Sequence, residues 1–511
     1  MKKERFWKEL EKNVIIHGDR MNVAESCIDR HSNSKKPALV FQDEKGRQKI
    51  YTYKKLAIKV NQFANFLEKI KVKKQSRIFI FLPKIPEAYI SLLGSIKHGS
   101  IAVPLFEAFQ TGGLELRLNR GNADVLVTNS KLAQRLKHKS KKMKLIIINS
   151  KSYKKKIKSM PQKFDSVLMK KKDTALMIFT SSTAGTPIAG VQIPHKALIQ
   201  QHYTAQLVLN LNSKDRYFCT AHPGWVTGSV YGILAPLSIG CPVYVYEGHF
   251  KSKEWIKFIK KNKISVIYTA PTALRMLRQD IKKEDLNSVR NICSVGEALT
   301  KSVFDFYKKL GIEINDSYWQ TETGAIVIAS WPGLKKKSGA IGKAIPGITA
   351  KTKDGMICLK PDFPSLMTGI YRHKKMYEDY FKNNWFLTND SAHIDKQGYF
   401  FFEGRKDDII KTSGERVSPI EIESILMKHP TVKESAVIGI PDKLKGSIIK
   451  AFIVLNKKFI KSEKLKQDIS LFVKKNYAGH SYPRIIEFTN SLPKTNSGKI
   501  IRMKLRKDKK I

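Results

Sequence analysis

The sequence predicts a two-part α/β protein, with a large region of layered, largely parallel sheets and helices followed by a small α+β domain. Its 511 residues exceed what one hydrophobic core normally supports, so at least two domains are expected. Strand-like apolar runs alternate with helical or polar stretches through about the first four hundred residues, which is typical of parallel strands joined by crossovers. The last hundred or so residues combine two helices with two neighbouring strands instead.

The first part begins its clearest strand–helix unit at RIFIFL (77–82), which precedes the apolar helix PEAYISLLGSIKHGS. Short apolar runs rich in β-branched residues predict further buried strands. These runs are DVLVT (124–128), KLIIIN (144–149), ALMIFT (175–180), PVYVYE (242–247) and SVIYTA (265–270).

The second part has a different pattern. VSPIEIESILMKHP predicts an amphipathic helix, SAVIGIPD and KAFIVL predict paired strands, and KLKQDISLFVKKN predicts another helix before a loop with Lys499. GRKDD (404–408) is the expected linker. We therefore predict an N-terminal domain at 1–403 and a C-terminal domain at 409–511.

The five cysteines are scattered and form no CxxC pair, which predicts reduced thiols in the cytoplasm and no metal site. They are Cys27, Cys219, Cys241, Cys293 and Cys358. No apolar run reaches the roughly 20 residues of a membrane helix, and the N-terminus MKKERFWKELEKN lacks the apolar core of a signal peptide. We expect a cytoplasmic protein without a membrane span.

The formal net charge of +50 raises the possibility of a nucleic-acid or anionic-membrane partner. The lysines are spread along the chain in short runs, however, and no zinc-finger, helix-turn-helix or RNA-motif signature accompanies them. General lysine enrichment is the favoured interpretation, with no specific nucleic-acid partner. A positive field would still attract polyanionic small molecules.

Three segments contain most of the candidate functional residues, and their order along the chain is informative. They are DSYWQTETG (316–324), the stretch from Trp385 to Glu423 that includes FLTNDSAHIDKQGYFFFEGRKDD, and LPKTNSGKIIRMKLR (492–506). In this order and spacing they resemble the AMP-forming acyl-adenylate enzymes, and within these the acetate–CoA ligases. The resemblance covers nearly the whole chain, beginning near NVAESCIDRH (22–31). It implies ATP, Mg²⁺ and CoA as ligands and a mobile C-terminal lid.

A hydroxyl- and glycine-rich stretch, FTSSTAGTPIAGVQIPH (179–195), corresponds to the family's phosphate loop. Such a loop offers backbone N–H and hydroxyl donors to a triphosphate. The residues expected to contact ATP are Thr180, Ser181, Ser182, Thr183 and Gly185. The loop departs from the family pattern, because Ser182 replaces a glycine and Ile188 or Ala189 stands where a lysine belongs. We expect weaker phosphate binding.

The resemblance assigns further nucleotide contacts. Gly296, Glu297 and Ala298 are expected to line the adenine, and Asp316 to face its amino group. Gln320 and Thr321 would bind nucleotide, with Thr321 at the α-phosphate, while Glu322 would hold Mg²⁺, a hard cation suited to carboxylate oxygen. The remaining expected contacts are Asp390 at the ribose hydroxyls, Arg405 at the ribose and phosphates, and Arg416 at a phosphate.

The acyl pocket is expected around Trp319, whose large indole would leave room only for a short acid. Its other walls would be Val226, Thr227 and Val295. His222 stands where the acetate enzymes usually carry an aspartate. Because hydrophobic pockets discriminate by only about 1–3 kcal/mol per methylene, acetate should be preferred over propionate without excluding it.

The C-terminal segment supplies the remaining roles that the resemblance implies. Gly414 would lie against CoA, Asp407 would be the hinge, and the Lys499 ammonium would meet the reacting carboxylate and α-phosphate. Because Lys499 would be exposed in the second pose of the lid, it is also a candidate for control by a lysine acetyltransferase and deacetylase.

Four interpretations compete: an acetate–CoA ligase or close propionate homologue, a peptide-synthetase module, a weakened nucleotide-binding homologue, and a nucleic-acid binder. A peptide-synthetase module would need a carrier domain with its own serine motif, which is not seen before Ile511. The altered phosphate loop favours the weakened homologue. Against it, the chain keeps four charged residues of the expected site: Glu322, Asp390, Arg405 and Lys499.

Overall fold

The structure is a computed structural model that describes residues 3–138, 142–180, 189–405, 408, 410–412, 415–442, 446–476, 482–494 and 500–507. Its layered α/β architecture and separate small C-terminal unit confirm the predicted fold class. No helix in these described ranges is long and apolar enough to cross a membrane.

The first part of the chain contributes most strands of a seven-stranded sheet and one edge of a nine-stranded sheet. Its strands are β1 (Arg20–Met21), β2 (Pro37–Gln42), β3 (Gln48–Thr52), β4 (Arg77–Phe81), β5 (Ile101–Leu105), β6 (Val125–Thr128), β7 (Lys144–Ile147), β8 (Met169–Lys170) and β9 (Thr174–Phe179). Its helices are α1 (Lys3–Leu10), α2 (Val23–Cys27), α3 (Tyr53–Lys69), α4 (Pro86–Lys97), α5 (Thr111–Arg120), α6 (Ser130–Ala133) and α7 (Lys151–Lys158).

The middle part supplies the remaining strands of these two sheets and all strands of a five-stranded sheet. Its strands are β10 (Gly190–Pro194), β11 (Tyr217–Cys219), β12 (Val243–Tyr246), β13 (Val266–Thr269), β14 (Asn291–Val295), β15 (Asn315–Tyr318), β16 (Ile328–Ala329), β17 (Lys343–Ala344), β18 (Ala350–Lys353), β19 (Met356–Leu359), β20 (Gly369–Ile370), β21 (Phe381–Lys382), β22 (Trp385–Ile394) and β23 (Phe400–Arg405). Its helices are α8 (Ala197–Leu207), α9 (Val226–Ser229), α10 (Ala235–Ile239), α11 (Ser252–Lys261), α12 (Pro271–Leu277), α13 (Lys301–Lys309) and α14 (Lys374–Glu378).

The C-terminal part forms a small unit. Its strands are β24 (Ile410–Thr412), β25 (Glu415–Val417), β26 (Val432–Asp442), β27 (Gly446–Leu455) and β28 (Ile485–Phe488). Its helices are α15 (Pro419–Leu426), α16 (Glu463–Asn476) and α17 (Arg502–Lys507).

Two large sheets dominate the N-terminal region. The nine-stranded sheet has the order β17-β16-β15-β14-β13-β11-β12-β2-β3, and its six strands from β15 to β2 are parallel. The seven-stranded sheet has the order β20-β10-β9-β5-β4-β6-β7, with β9 to β7 parallel. Antiparallel strands occur only at the edges of these two sheets, so the prediction of largely parallel sheets is confirmed.

Helices cover these sheets because their apolar residues recur at helical spacing. In α3, Leu56, Val60, Phe63 and Leu67 are buried, and the Thr52 side chain caps the first turn by accepting from the Lys55 N–H at 3.1 Å. Helix α4 is apolar on nearly every face, as expected for a helix packed between a sheet and other helices.

An antiparallel five-stranded sheet, built from β18, β19, β21, β22 and β23, was not predicted from the sequence. Its strands carry few long apolar runs, since β18 reads AKTK and β22 alternates buried with exposed residues. Strands β22 and β23 of this sheet carry Asp390 and Arg405, two of the residues expected to bind the nucleotide.

The C-terminal unit has its own buried clusters from Ile410 onward, one of which contains Ile422, Val437 and Ile453. The predicted strand pair is confirmed, because β26 and β27 are antiparallel neighbours, and β28 adds a parallel strand. Both predicted helices are also present. The hinge predicted at Asp407 lies outside the described residues.

Candidate active site

The two segments expected to bind the nucleotide leave neighbouring parallel strands. Strand β14 ends at Val295 and leads into Gly296–Ala298, while β15 ends at Tyr318 and leads into the 319–324 loop. The carboxyl ends of adjacent parallel strands lie at the same edge of a sheet, where α/β proteins bind their ligands. The topology therefore places these two predicted ATP-binding segments side by side.

Asp316 lies within β15, paired in register with Ser294 of β14. Its Oδ1 accepts from Ser294 Oγ at 2.5 Å and from the Ser317 backbone N–H at 3.0 Å. Burial raises the pKa of Asp316 to about 7, although both donors favour the ionised form. No donor within the described residues bonds Oδ2, so this oxygen is the one available to a ligand amino group.

The side chain of Glu297 is held by the protein. Thr272 Oγ1, in the first turn of α12, donates to Glu297 Oε2 at 2.6 Å, and Arg275 donates to the same Thr272 oxygen at 2.9 Å. Any contact of this segment with adenine therefore falls to its backbone and to Ala298, which is partly exposed beside the exposed Gly296.

Asp390 and Arg405 face each other on adjacent antiparallel strands, because β22 and β23 pair these two residues directly. Arg405 Nη1 lies 3.1 Å from Asp390 Oδ1. Burial disfavours the charge of Arg405, but the nearby Asp390 more than offsets this, and the pKa of Arg405 is raised. The structure thus brings together two residues that the sequence assigned to one ligand.

Asp390 is only 5% exposed, and two further donors reach its carboxylate. Tyr318 Oη donates to Oδ2 at 2.8 Å, and Gln320 Nε2 donates to the same oxygen at 2.5 Å. Since a carboxylate offers about four lone-pair positions, these contacts and Arg405 leave about one position, on Oδ1. The predicted grip on two ribose hydroxyls therefore requires one protein donor to move when the ligand binds.

The loop that carries Thr321 and Glu322 is shaped by Gly324. Gly324 has a φ of +68°, and a Cβ there would lie 2.1 Å from the Ser365 carbonyl oxygen, so no larger residue fits. Its N–H reaches the carbonyl oxygens of Gln320 and Thr321, both at 3.2 Å. This tight turn fixes the loop at the end of β15.

One carboxylate oxygen of Glu322 is hydrogen-bonded within the protein. Tyr380 Oη donates to Glu322 Oε1 at 3.1 Å, and burial raises the pKa of Glu322. No group of three His, Cys, Asp or Glu side chains forms a metal site in the described part of the chain. A single carboxylate fits Mg²⁺ at a nucleotide, where phosphates and water complete the coordination.

Trp319, which is expected to line the acyl pocket, is buried, at 8% exposure, directly after β15. Its Nε1–H donates to Tyr268 Oη at 3.1 Å, and its ring meets the Tyr231 ring edge to face, with centroids 5.0 Å apart. Val295 is also buried, and both residues belong to the main apolar core. Neither tyrosine was identified as a site residue from the sequence.

Val226 and Thr227 form the first turn of α9, which runs directly into a π-helical segment, Val230–Leu234. Such π-helical turns are rare and are frequent at functional sites. A Cβ on Gly228 would lie 2.0 Å from the His222 carbonyl oxygen, so this helix packs directly against the preceding turn.

His222 is buried in that turn. Its Nδ1 accepts from the Gly224 N–H at 2.8 Å, and its Nε2 lies 4.0 Å from Glu107 Oε1. Burial lowers the pKa of His222 to about 3, so the ring is neutral at physiological pH. Where the family carries an aspartate, this chain therefore has an uncharged group that supports the turn.

The phosphate loop connects two antiparallel strands. Strand β9 ends at Phe179, which pairs with Gly190 of β10, and the Thr180 N–H donates to the Ala189 carbonyl at 3.2 Å. The predicted contacts Ser181, Ser182, Thr183 and Gly185, together with Ile188, lie outside the described residues. Ala189 is only 2% exposed, so a lysine at this position would be buried and could not play the role expected of the family lysine.

The structure describes only some of the residues predicted to act in the lid. Lys499, Asp407 and Gly414 lie outside the described residues, and of Arg416 only the backbone is described, paired with Lys411 between β24 and β25. Lys494 and Ile500 form an antiparallel bridge on either side of the segment with Lys499. The roles assigned to these lid residues remain predictions.

Comparisons with known proteins agree with this geometry. The profile described as AMP-binding enzyme matches residues 28–362, and the profile described as AMP-binding enzyme C-terminal domain matches residues 421–499. The chain belongs to the AMP-binding enzyme family. This family is part of the acyl-adenylate-forming superfamily, as the order of motifs predicted.

Relatives in this family match along nearly the full length. An acetyl-coenzyme A synthetase of Bacillus subtilis (strain 168) is 42% identical, covering 95% of this chain and 90% of that protein. One from Methanothrix thermoacetophila is 34% identical, covering 95% and 82%. A crystal structure of the anthranilate CoA ligase AuaEII with anthranoyl-AMP has a TM-score of 0.85 at 26% identity, covering 96% and 97%.

Sequence reasoning missed three tyrosines that are hydrogen-bonded to predicted site residues. Tyr318 supports Asp390, Tyr380 supports Glu322, and Tyr268 supports Trp319. Tyr318 could have been found, since it lies inside the DSYWQTETG motif. Tyr268 and Tyr380 lie 51 and 58 residues from their partners, and no local pattern links them.

Proposed function

We propose that this chain is an AMP-forming acetate–CoA ligase, which joins acetate to CoA through acetyl-AMP and releases pyrophosphate and AMP. The observation that carries the proposal is the 42% identity to an acetyl-coenzyme A synthetase over 95% of the chain. The large indole of Trp319, which is only 8% exposed, supports a small acid as the substrate.

In the first half-reaction, an acetate oxygen attacks the α-phosphorus of ATP, and the bond to the pyrophosphate oxygen breaks. Asp316 Oδ2 accepts from the adenine amino group, while Asp390 and Arg405 hold the ribose and phosphate side. Thr321 binds the α-phosphate. Glu322 would hold Mg²⁺, which would supply positive charge to offset that of the phosphate oxygens. These side chains position the reactants and stabilise charge, and none forms a covalent bond.

In the second half-reaction, the CoA thiolate attacks the acetyl carbonyl carbon, and AMP leaves. The C-terminal domain must first turn about Asp407, which withdraws Lys499 and brings Gly414 to the pantetheine and Arg416 to a phosphate. Such alternation excludes water at each step and is typical of enzymes that gate their chemistry with a lid.

The substrate range tests the proposal. Rates of AMP and pyrophosphate release are measured with ATP, CoA and either acetate, propionate, butyrate or octanoate. We expect acetate to be used best and Trp319→Gly to shift the preference towards longer acids by roughly 10-fold or more per methylene. Faster turnover of octanoate than of acetate would show that the pocket is wrongly assigned.

Two other outcomes would identify the alternatives. Preference for propionate would indicate the related short-chain ligase. Binding of ATP without release of pyrophosphate for any acid would indicate the weakened nucleotide-binding homologue, which the altered loop at Ser182, Ile188 and Ala189 favours.

The setting inferred for this enzyme is the cytoplasm. All five cysteines are buried thiols outside disulfides, which suits a reducing compartment. Its substrates are ATP, acetate and CoA, and no specific nucleic-acid partner is proposed. Acetylation of Lys499 by an acetyltransferase, with removal by a deacetylase, would switch off the first half-reaction by removing the charge.

A further inference from the structure

Three aromatic side chains from separate parts of the chain meet behind the acyl pocket. Tyr231 lies in the π-helical segment, Tyr268 in β13, and Trp319 after β15. The ring of Tyr231 meets Trp319 at 80° with centroids 5.0 Å apart, and meets Tyr268 at 83° with centroids 5.6 Å apart. Edge-to-face pairs of this kind stabilise a particular mutual orientation of the rings.

The hydrogen bonds of Tyr268 have a defined direction. Ser317 Oγ donates its proton to the Ser294 carbonyl at 2.7 Å, so in its 2.9 Å contact with Tyr268 Oη it must accept. Tyr268 therefore donates to Ser317 and keeps its lone pairs for the Trp319 indole N–H. Burial raises the pKa of Tyr268 well above its usual value, so the hydroxyl stays protonated.

Tyr231 is fixed in the same way. Thr204 Oγ1 donates to the Gln200 carbonyl at 2.7 Å, so the Tyr231 hydroxyl donates to Thr204 in their 2.7 Å contact. Tyr231 also accepts from the Ile326 N–H at 2.9 Å. The Tyr231 ring, which packs against the indole, is thus anchored to the protein through its hydroxyl.

The indole N–H of Trp319 has one acceptor among the described residues, Tyr268 Oη. If the indole rotated away to make room for a longer acid, this buried donor would lose its partner, which is costly. We propose that Tyr268 is a specificity-determining positioning residue, whose hydroxyl holds the Trp319 indole across the acyl pocket and so favours acetate over longer acids. This inference rests on the proposed acetate ligation.

The first test is Tyr268→Phe, which removes the acceptor and keeps the ring. The ratio of kcat/KM for acetate to that for propionate should fall by about 2- to 10-fold, the effect of one hydrogen bond. The matched control is Tyr307→Phe, which removes a buried hydroxyl that donates to the Leu274 carbonyl at 3.0 Å in a different cluster. The control should leave the ratio unchanged.

A double-mutant cycle separates positioning from general packing. Phenylalanine at position 319 has no N–H, so adding Tyr268→Phe to Trp319→Phe should leave the acetate-to-propionate ratio where Trp319→Phe alone puts it. An equal drop in both backgrounds, or no drop in the otherwise native protein, would overturn the proposal.

An activity-independent measurement keeps the inference testable if the proposed function fails or Tyr268→Phe folds poorly. The protein is labelled with ¹⁵N at its tryptophan indoles, and the Trp319 signal is assigned by its loss in Trp319→Phe. Ser317→Ala, which removes the acceptor of the Tyr268 hydroxyl, should shift this signal and speed its hydrogen exchange, while Tyr307→Phe should do neither. An unchanged signal in both Ser317→Ala and Tyr268→Phe would contradict the proposal, whereas absence of ligase activity with the expected shifts would count only against the proposed function.

Discussion

Asp316 combines burial with an oxygen that no protein donor bonds among the described residues. Its pKa is raised to about 7, mainly by burial, so its charge changes within the physiological range. The proton would sit on Oδ2, because Oδ1 already accepts from Ser294 and Ser317. A protonated Oδ2 would present a donor to the amino group of adenine, which is also a donor.

We therefore expect the KM for ATP to fall as the pH rises through about 7, since ionised Asp316 is the better acceptor. Asp316→Asn should remove this part of the pH dependence, and it also controls for titration of ATP itself. The measurement is the KM for ATP from about pH 6 to 8.5 in both proteins. Parallel profiles would refute a role for the carboxylate in adenine binding.

The same shift bears on stability. Because the pKa of folded Asp316 lies above that of an unfolded aspartate, its contribution to stability is full below the unfolded pKa and is lost as the pH rises through about 7. We expect Asp316→Asn to lessen this loss in the free energy of unfolding, measured by denaturant titration at pH 5.5 and 8. An equal pH dependence in both proteins would contradict the assignment.

At this scale the sequence proposes candidate site residues but does not identify the residues that support them. Asp390, Glu322 and Trp319 lie in motifs whose order is informative. Their supports are contributed by other strands and helices, and the contacts depend on strand register. The reduced capacity of the Asp390 carboxylate, for example, follows from three donors that come from two different sheets: Tyr318 and Gln320 at the end of β15, and Arg405 on β23.

The phosphate loop is an element whose ends are fixed. Because Thr180 bonds to the Ala189 carbonyl and Phe179 pairs with Gly190, deleting Ala189 would break this closure and shift β10 in register. A change made to restore the family lysine must therefore keep Ala189. Because Ala189 is buried, Ile188 is the position at which to introduce the lysine.

Ile188→Lys alone should lower the KM for ATP, because an added ammonium near the β- and γ-phosphates stabilises them. Ala189→Lys is the matched control, and we expect it to lower stability without lowering the KM, since a charge would enter a buried site. Steady-state kinetics with varied ATP and thermal unfolding distinguish them. A KM that is unchanged or higher in Ile188→Lys would mean that the loop uses another arrangement.

Elements with long apolar runs were the ones predicted correctly. The buried parallel strands β4, β6, β9, β12 and β13 carry apolar residues on both faces, so their signal is strong. The strands of the five-stranded sheet are short or half exposed, and their signal is weak. Tyr231 of the π-helical segment Val230–Leu234 packs against Trp319 and Tyr268, and no local pattern encodes these contacts.

At the scale of the whole molecule, the net charge of +50 predicts how the protein binds polyanions. Binding to nucleic acid should be non-specific and salt-sensitive, since counterion release would cost roughly 10³-fold in affinity between about 50 and 200 mM salt for six phosphate contacts. Fluorescence anisotropy with several unrelated oligonucleotides of equal length would measure this. Sequence-selective binding that persists at 200 mM salt would show that the charge serves a specific partner.

In the proposed mechanism, Lys499 is the residue that distinguishes the two half-reactions. In the adenylating pose its ammonium would meet the acetate carboxylate and α-phosphate, and in the thioester pose it would lie far from them. Lys499→Ala should therefore slow acetyl-AMP formation by about 10²- to 10³-fold, as for one lost electrostatic contact. It should leave CoA attack on supplied acetyl-AMP nearly unchanged.

The most direct test of the proposed two-step ligation is acetate-dependent exchange of labelled pyrophosphate into ATP without CoA, run beside conversion of supplied acetyl-AMP and CoA to acetyl-CoA. Lys494→Ala is the matched control, since Lys494 flanks the same segment and pairs with Glu434 at 2.6 Å. We predict exchange in the native protein and in the control, and loss of exchange alone in Lys499→Ala. Equal loss of both reactions in folded Lys499→Ala, or loss of neither, would contradict the account.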